Sequence, residues 1–115
     1  MYDDARFAPL SPQVFHVLLS LHHGPMHGYS IIQDIRERTG DEVRLNASTL
    51  YDALARLVDQ GFIREAEGVD KGGDTRRRYY EITRLGRTAA SREVERLERL
   101  LRRARATRAA RKGMN

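Results

Sequence analysis

The chain has no cysteine, no tryptophan and only three prolines, and aromatic residues make up 7% of its 115 positions. Without cysteine there are no disulfides, no thiolate metal sites and no cysteine nucleophile. No apolar run approaches the roughly 20 residues that span a bilayer. The opening Met1-Tyr2-Asp3-Asp4 lacks the basic and apolar regions of a secretory signal. A single domain of ordinary size is expected, cytoplasmic and without a membrane partner. A phosphate loop, a nucleophile beside a base and a carboxylate pair in an apolar setting are also missing, so neither an enzyme nor a bound cofactor is expected.

Arginine is what the chain has in excess. Lys and Arg number 21 against 16 Asp and Glu, a net charge of +5. The surplus is concentrated after Thr75, from Arg76-Arg77-Arg78 through Arg99, Arg102, Arg103, Arg105, Arg108 and Arg111, whereas the first half is close to balanced. A polyanion partner explains such asymmetry; so does a solvated arginine-rich helix, and the motifs must decide between them.

The periodicity divides the chain into short elements. Residues 1–10 read as a loose arm, pinned by Phe7 or Leu10. Ser11-Pro12 starts a first helix that Gly24-Pro25 stops, so it is expected over Pro12 to His23. Val14, Val17, Leu18 and Leu21 form its stripe; Phe15 and Leu19 lie off it, which suggests a second covered side. A second helix is expected from Tyr29 to Thr39, with Ile31, Ile32 and Ile35 inward and Gly40 ending it. Glu42-Val43-Arg44-Leu45 is read as a small strand that would join a later hairpin in a three-stranded sheet.

The stretch from Asn46 to Thr83 is the centre of the chain. Asn46 is a helix cap, and Leu50, Leu54, Leu57 and Val58 recur at helical spacing until Gly61. Ser48, Asp52, Ala55, Arg56 and Asp59 then fall opposite the leucines, with Thr49 and Tyr51 on the flanks. Phe62-Ile63-Arg64-Glu65 and Arg76 to Ile82 read as strands around a polar loop that holds Lys71. From Thr83, a helix cap, a last helix runs some 25 residues or more, near 35 Å. Its Ala90, Val94, Leu97, Leu101, Ala104 and Arg108 alternate spacings of four and three, a coiled-coil seam that Leu100 widens. That stripe is longer than so small a domain covers, which points to a second chain.

The order helix, helix, strand, helix, hairpin, helix is that of a winged helix-turn-helix, in which the third helix enters the major groove. Gly24-Pro25-Met26-His27-Gly28-Tyr29, Ser48-Thr49-Leu50-Tyr51-Asp52-Ala53-Leu54, Gly61-Phe62-Ile63 and Arg78-Tyr79-Tyr80-Glu81-Ile82-Thr83-Arg84-Leu85-Gly86 together resemble the PadR family of bacterial transcriptional regulators. The resemblance covers about Leu10 to Leu101. It implies a mainly α fold with a small β-hairpin wing: an arm over 1–10, a winged helix-turn-helix over 11–83 and a long C-terminal dimerisation helix over 84–112.

The resemblance also implies a homodimeric repressor that binds double-stranded DNA through the third helix and the wing. Carried over by position, Ser48, Thr49, Tyr51, Arg56, Lys71, Arg76 and Arg77 are the expected DNA contacts. Hydroxyls near a helix start suit phosphate oxygens, and the wing cations suit the backbone. Asp52 departs from the neutral or helix-opening residue often found there. Phe15, Leu19, Ala90, Val94, Leu97, Leu100, Leu101 and Ala104 are the expected dimer interface. Members of the family can hold planar hydrophobic effectors between the helices of the dimer. This chain lacks the tryptophan that can stack on them, which leaves Phe15 to do so. His22, His23 and His27 cluster around a turn, with His16 nearly two helical turns before them, but the family pattern makes His27 and Tyr29 a structural joint that positions the second helix, and no metal is expected. A protein-interaction module and a nonspecific DNA coat are the alternatives.

Overall fold

A computed structural model describes residues 7–67 and 77–113. Ser11 caps α1 (Pro12–Leu21), its hydroxyl accepting from the Val14 N–H at 3.2 Å, and proline stands where the first turn needs no donor. α1 ends two residues earlier than expected, because His22 and Gly24 donate to the Leu19 and Leu21 carbonyls in tighter turns. A turn through Gly24, at φ 135°, leads into β1 (Met26–His27). His27 also caps α2 (Gly28–Arg38), its Nδ1 accepting from the Ser30 N–H at 3.3 Å. α3 (Ala47–Asp59) starts at Asn46, whose side-chain oxygen accepts from the Thr49 N–H at 2.8 Å. β2 (Ile63–Ala66), β3 (Tyr79–Ile82) and α4 (Arg84–Gly113) follow.

The sheet is antiparallel, in the order β1-β3-β2, with Ile63 opposite Ile82, Ala66 opposite Tyr79 and Met26 opposite Tyr80. Its third strand is therefore Met26–His27, and Glu42 to Leu45, expected to fill that place, form no strand. Local bonds hold this segment against the end of α2. The Thr39 hydroxyl donates to the Ile35 carbonyl and accepts from the Val43 N–H, and Asp41, at φ 69°, bonds Arg36 at 3.0 Å. Leu45 is buried in the core and Val43 packs against its edge.

The core joins Val17, Leu18 and Leu21 of α1, Ile31 and Ile35 of α2, and Leu50, Leu54 and Leu57 of α3 to Phe62, Ile63, Tyr80 and Ile82. Val58, expected in the α3 stripe, is 40% exposed, while Ala53 is buried. With Leu50, Ala53, Leu54 and Leu57 inward, Val58 falls about 90° from the centre of the buried face. Ser20, fully buried in α1, is satisfied across the α1–α2 contact: its hydroxyl donates to Asp34 at 2.7 Å and accepts from Arg38 at 2.7 Å. Burial alone would raise the Asp34 pKa, but bonds from Ser20 and Arg38 and the Arg38 charge hold it below the usual carboxylate value.

Thr83 joins the sheet to the last helix. Its N–H donates to the Phe62 carbonyl at 3.0 Å, and its hydroxyl donates to the Gly61 carbonyl at 2.6 Å and accepts from the Gly86 N–H at 3.1 Å. A Cβ at Gly86 would overlap the Phe62 carbonyl oxygen, so this close approach requires glycine. The first turns of α4 complete the core through Ala89 and Ala90. Ala90, expected on the intersubunit seam, is instead buried inside its own chain, because the first turns of α4 still pack on the domain. Phe7 stacks on Phe62 at 6.5 Å under the Arg92 guanidinium, and the Leu10 N–H donates to Glu93, so the expected arm is tied down from Phe7 onward. The fold is a winged helix-turn-helix carrying a long terminal helix of about 45 Å.

Candidate nucleic-acid interface

α3 is divided along its length. Leu50, Ala53, Leu54 and Leu57 face the core, and Ser48, Thr49, Tyr51, Asp52, Ala55 and Arg56 are exposed. Asn46 occupies one of the free N–H groups at the helix start; the positive end of the helix dipole lies beside Ser48 and Thr49. Arg56 stands one turn beyond Asp52, so a cation and a carboxylate share the exposed face.

Tyr51 belongs to a second feature. Its side chain leans back over Gly28, where a Cβ would come within 2.5 Å of the Tyr51 hydroxyl and 2.9 Å of its Cζ. The ring remains 48% exposed and lines a cleft of about 530 Å³ together with His27, Gly28, Tyr29, Arg77, Arg78 and Tyr80. β1 places His27 edge-on to Tyr79 at 5.3 Å, which fixes the start of α2 beside the base of the wing. Burial pushes the Tyr80 phenol above its ordinary value and Glu65 adds to this, against the charge of Arg78.

Of the residues expected to contact DNA, Tyr51 and Arg77 meet in this cleft, while Ser48, Thr49 and Arg56 stand on the exposed face of α3. Lys71 and Arg76 lie outside the described residues. Sequence reading missed Tyr29 and Arg78 as members of the cleft. The signal was in Gly28-Tyr29, the motif taken only as a joint.

Beyond Glu93, α4 carries Val94, Leu97, Leu100 and Leu101 at 40, 37, 51 and 48% exposure, with Ala104 exposed further on. Phe15 and Leu19 of α1 are half-buried. Phe15 shares a cleft of about 340 Å³ with Leu10, Pro12, His16, Glu93, Arg96 and Leu97, so it lies beside the α4 of its own chain. Glu93 is 4% exposed and was not singled out from sequence, although it lies on the α4 face between Ala90 and Leu97. The Arg96 guanidinium donates to it at 3.0 and 2.5 Å and holds its carboxyl below the usual value, with the Leu10 N–H adding to this against burial. His16 Nδ1 is buried without a partner among the described residues, and burial, then the Arg38 charge, lowers its pKa. His22 bonds the Leu18 carbonyl at 2.8 Å.

The family model of the transcriptional regulator PadR-like family matches residues 17–92. The chain is 39% identical over 87 residues to an uncharacterized 37.1 kDa protein in a transposon of Streptomyces fradiae, covering 76% of this chain but only 23% of that relative. A transcriptional regulator from Clostridium thermocellum superposes with a TM-score of 0.71 at 31% identity, over 82% of this chain and 87% of that one. Bacillus subtilis PadR, in complex with operator DNA, superposes with a TM-score of 0.62 at 25% identity, over 72% of this chain and 46% of that one.

Proposed function

The chain belongs to the PadR-like family of transcriptional regulators, and on that premise we propose that it is a sequence-specific DNA-binding repressor, acting as a homodimer on a pseudo-palindromic operator. One observation carries the reading: α3 presents Ser48, Thr49 and Arg56 to solvent from a helix whose other side is locked into the core. A helix held in this way enters a major groove without rearranging the domain. Ser48 and Thr49 contact phosphate oxygens at the helix start, Arg56 reaches a base edge or a phosphate, and Arg77 follows the backbone. That B. subtilis PadR is in complex with operator DNA supports DNA as the partner here.

Val94, Leu97, Leu100 and Leu101 form an apolar stripe beyond the reach of their own core, and a second copy of α4, with Phe15 and Leu19 at its margin, covers it. The two α3 helices then read half-sites one helical turn apart. A flat apolar effector entering beside Phe15 and Leu97 would change the setting of the two domains and release DNA. The test is a gel-shift and sizing pair on Arg56→Ala and on Ser48→Ala with Thr49→Val. Both should remain dimeric and lose DNA affinity, Arg56→Ala by roughly tenfold or more. Unchanged affinity in both would refute the placement of α3. A panel of flat aromatic compounds that leaves melting temperature and DNA affinity unchanged would remove the effector.

A further inference from the structure

We propose that the cleft between the start of α2, the first turns of α3 and the base of the wing seats one DNA backbone phosphate, with Tyr29 and Arg78 acting beside Tyr51. The inference rests on the DNA-binding reading above and assigns that reading a site it does not contain. Among the described residues, the cleft lining includes three tyrosines, two arginines, a histidine and a glycine, and no carboxylate. Within this lining an anion meets donors and cations, with Glu65 acting on the Tyr80 phenol from outside it.

The donors are already held in place. Tyr29, 65% exposed, accepts a hydrogen bond from Gln33 Nε2 at 2.8 Å, which orients the phenol and leaves its own O–H to donate outward. Tyr51 reaches the same space only because Gly28 carries no side chain. Its hydroxyl is thereby turned away from Ser48 and Thr49 and towards the start of α2. Arg78 is exposed on the wing side and lines the cleft beside Tyr80. The positive end of the 11-residue helix α2 adds to the same potential. A phosphodiester passing from the groove read by α3 towards the wing would meet hydroxyls from two helices and a guanidinium from the sheet.

The probe is the tightest duplex that the wild-type protein selects from a randomised library. Its affinity is measured over a salt series for wild type, Tyr29→Phe and Arg78→Gln, neither of which removes a buried apolar group. Arg78→Gln should weaken binding and reduce the slope of log affinity against log salt by about 0.9, the signature of one lost phosphate contact. Tyr29→Phe should weaken binding roughly fivefold with the slope unchanged. A scan of single neutral methylphosphonates along the duplex should find one position per half-site that weakens wild type but has no further effect on Arg78→Gln. A wild-type slope in Arg78→Gln, with additive effects at every position, would overturn the seat while leaving the regulator standing. If wild type selects no sequence at all, both readings fall. If the scan is flat but inorganic phosphate raises the melting temperature of wild type and not of Arg78→Gln, the cleft serves a free anion and the proposal fails.

Discussion

Gly86→Ala separates helix propensity from packing, because the two predict opposite signs. Gly86 lies in the first turn of α4, where alanine should favour the helix by up to about 1 kcal/mol. The structure leaves no space for the methyl group, which would overlap the Phe62 carbonyl oxygen and come 2.8 Å from Ile82 Cγ1. The isoleucine can turn; the carbonyl, held by the Thr83 N–H at 3.0 Å, cannot move alone. The start of α4 must lift, which strains the contact by about 1–3 kcal/mol and loosens the Thr83 cap, worth about 1 kcal/mol. After the propensity gain, a net loss of about 2 kcal/mol is expected, roughly 10 °C in Tm at a few degrees per kcal/mol. Circular dichroism melts at one fixed protein concentration provide the assay, since association makes Tm depend on concentration. A variant as stable as wild type, or more so, would refute the packing argument.

Leu97→Asp should give a monomer by size-exclusion chromatography with helical content largely kept, and lose operator binding as a consequence; a dimer at micromolar concentration would rule out the α4 seam as the interface. Tyr51→Ala should reverse that pattern, with weakened DNA binding from an intact dimer. Because the Glu93 carboxyl is depressed in the folded chain, its stabilising contribution is present above the ordinary glutamate value of 4.5 and lost as pH falls below it. Wild type and Glu93→Gln should therefore differ most in Tm near neutral pH and converge as pH drops through that range; a constant difference would mean that Glu93 acts only by its shape.

What the sequence made legible were features written in neighbouring residues. Ser11-Pro12, Asn46, Gly61 and Thr83 mark element ends by local chemistry, and each stands at the boundary assigned to it. Features that depend on distant partners were not legible. Met26–His27 is too short for any alternation, and only pairing with Tyr79 and Tyr80 makes it a strand. Glu42 to Leu45 had strand-like composition, but Thr39 and Arg36 hold it locally. Ala90 and Val58 were misplaced because periodicity identifies a face and not its edges, nor which body covers it. The candidate interface was partly visible. Ser48, Thr49, Tyr51 and Arg56 follow from the free face of α3, while Tyr29 and Arg78 join Tyr51 only because a glycine in another helix makes room.

The central claim is that this chain binds specific DNA through α3 and the wing. Fluorescence anisotropy against the duplex upstream of its own coding sequence and against a scrambled duplex, at two salt concentrations, tests it most directly. With +5 per chain, and twice that in a dimer, binding should weaken steeply with salt on both duplexes. The upstream duplex should remain tighter by a factor of a thousand or more, on the order expected for specific over nonspecific sites. Equal, weak binding to both, with little dependence on salt, would contradict it.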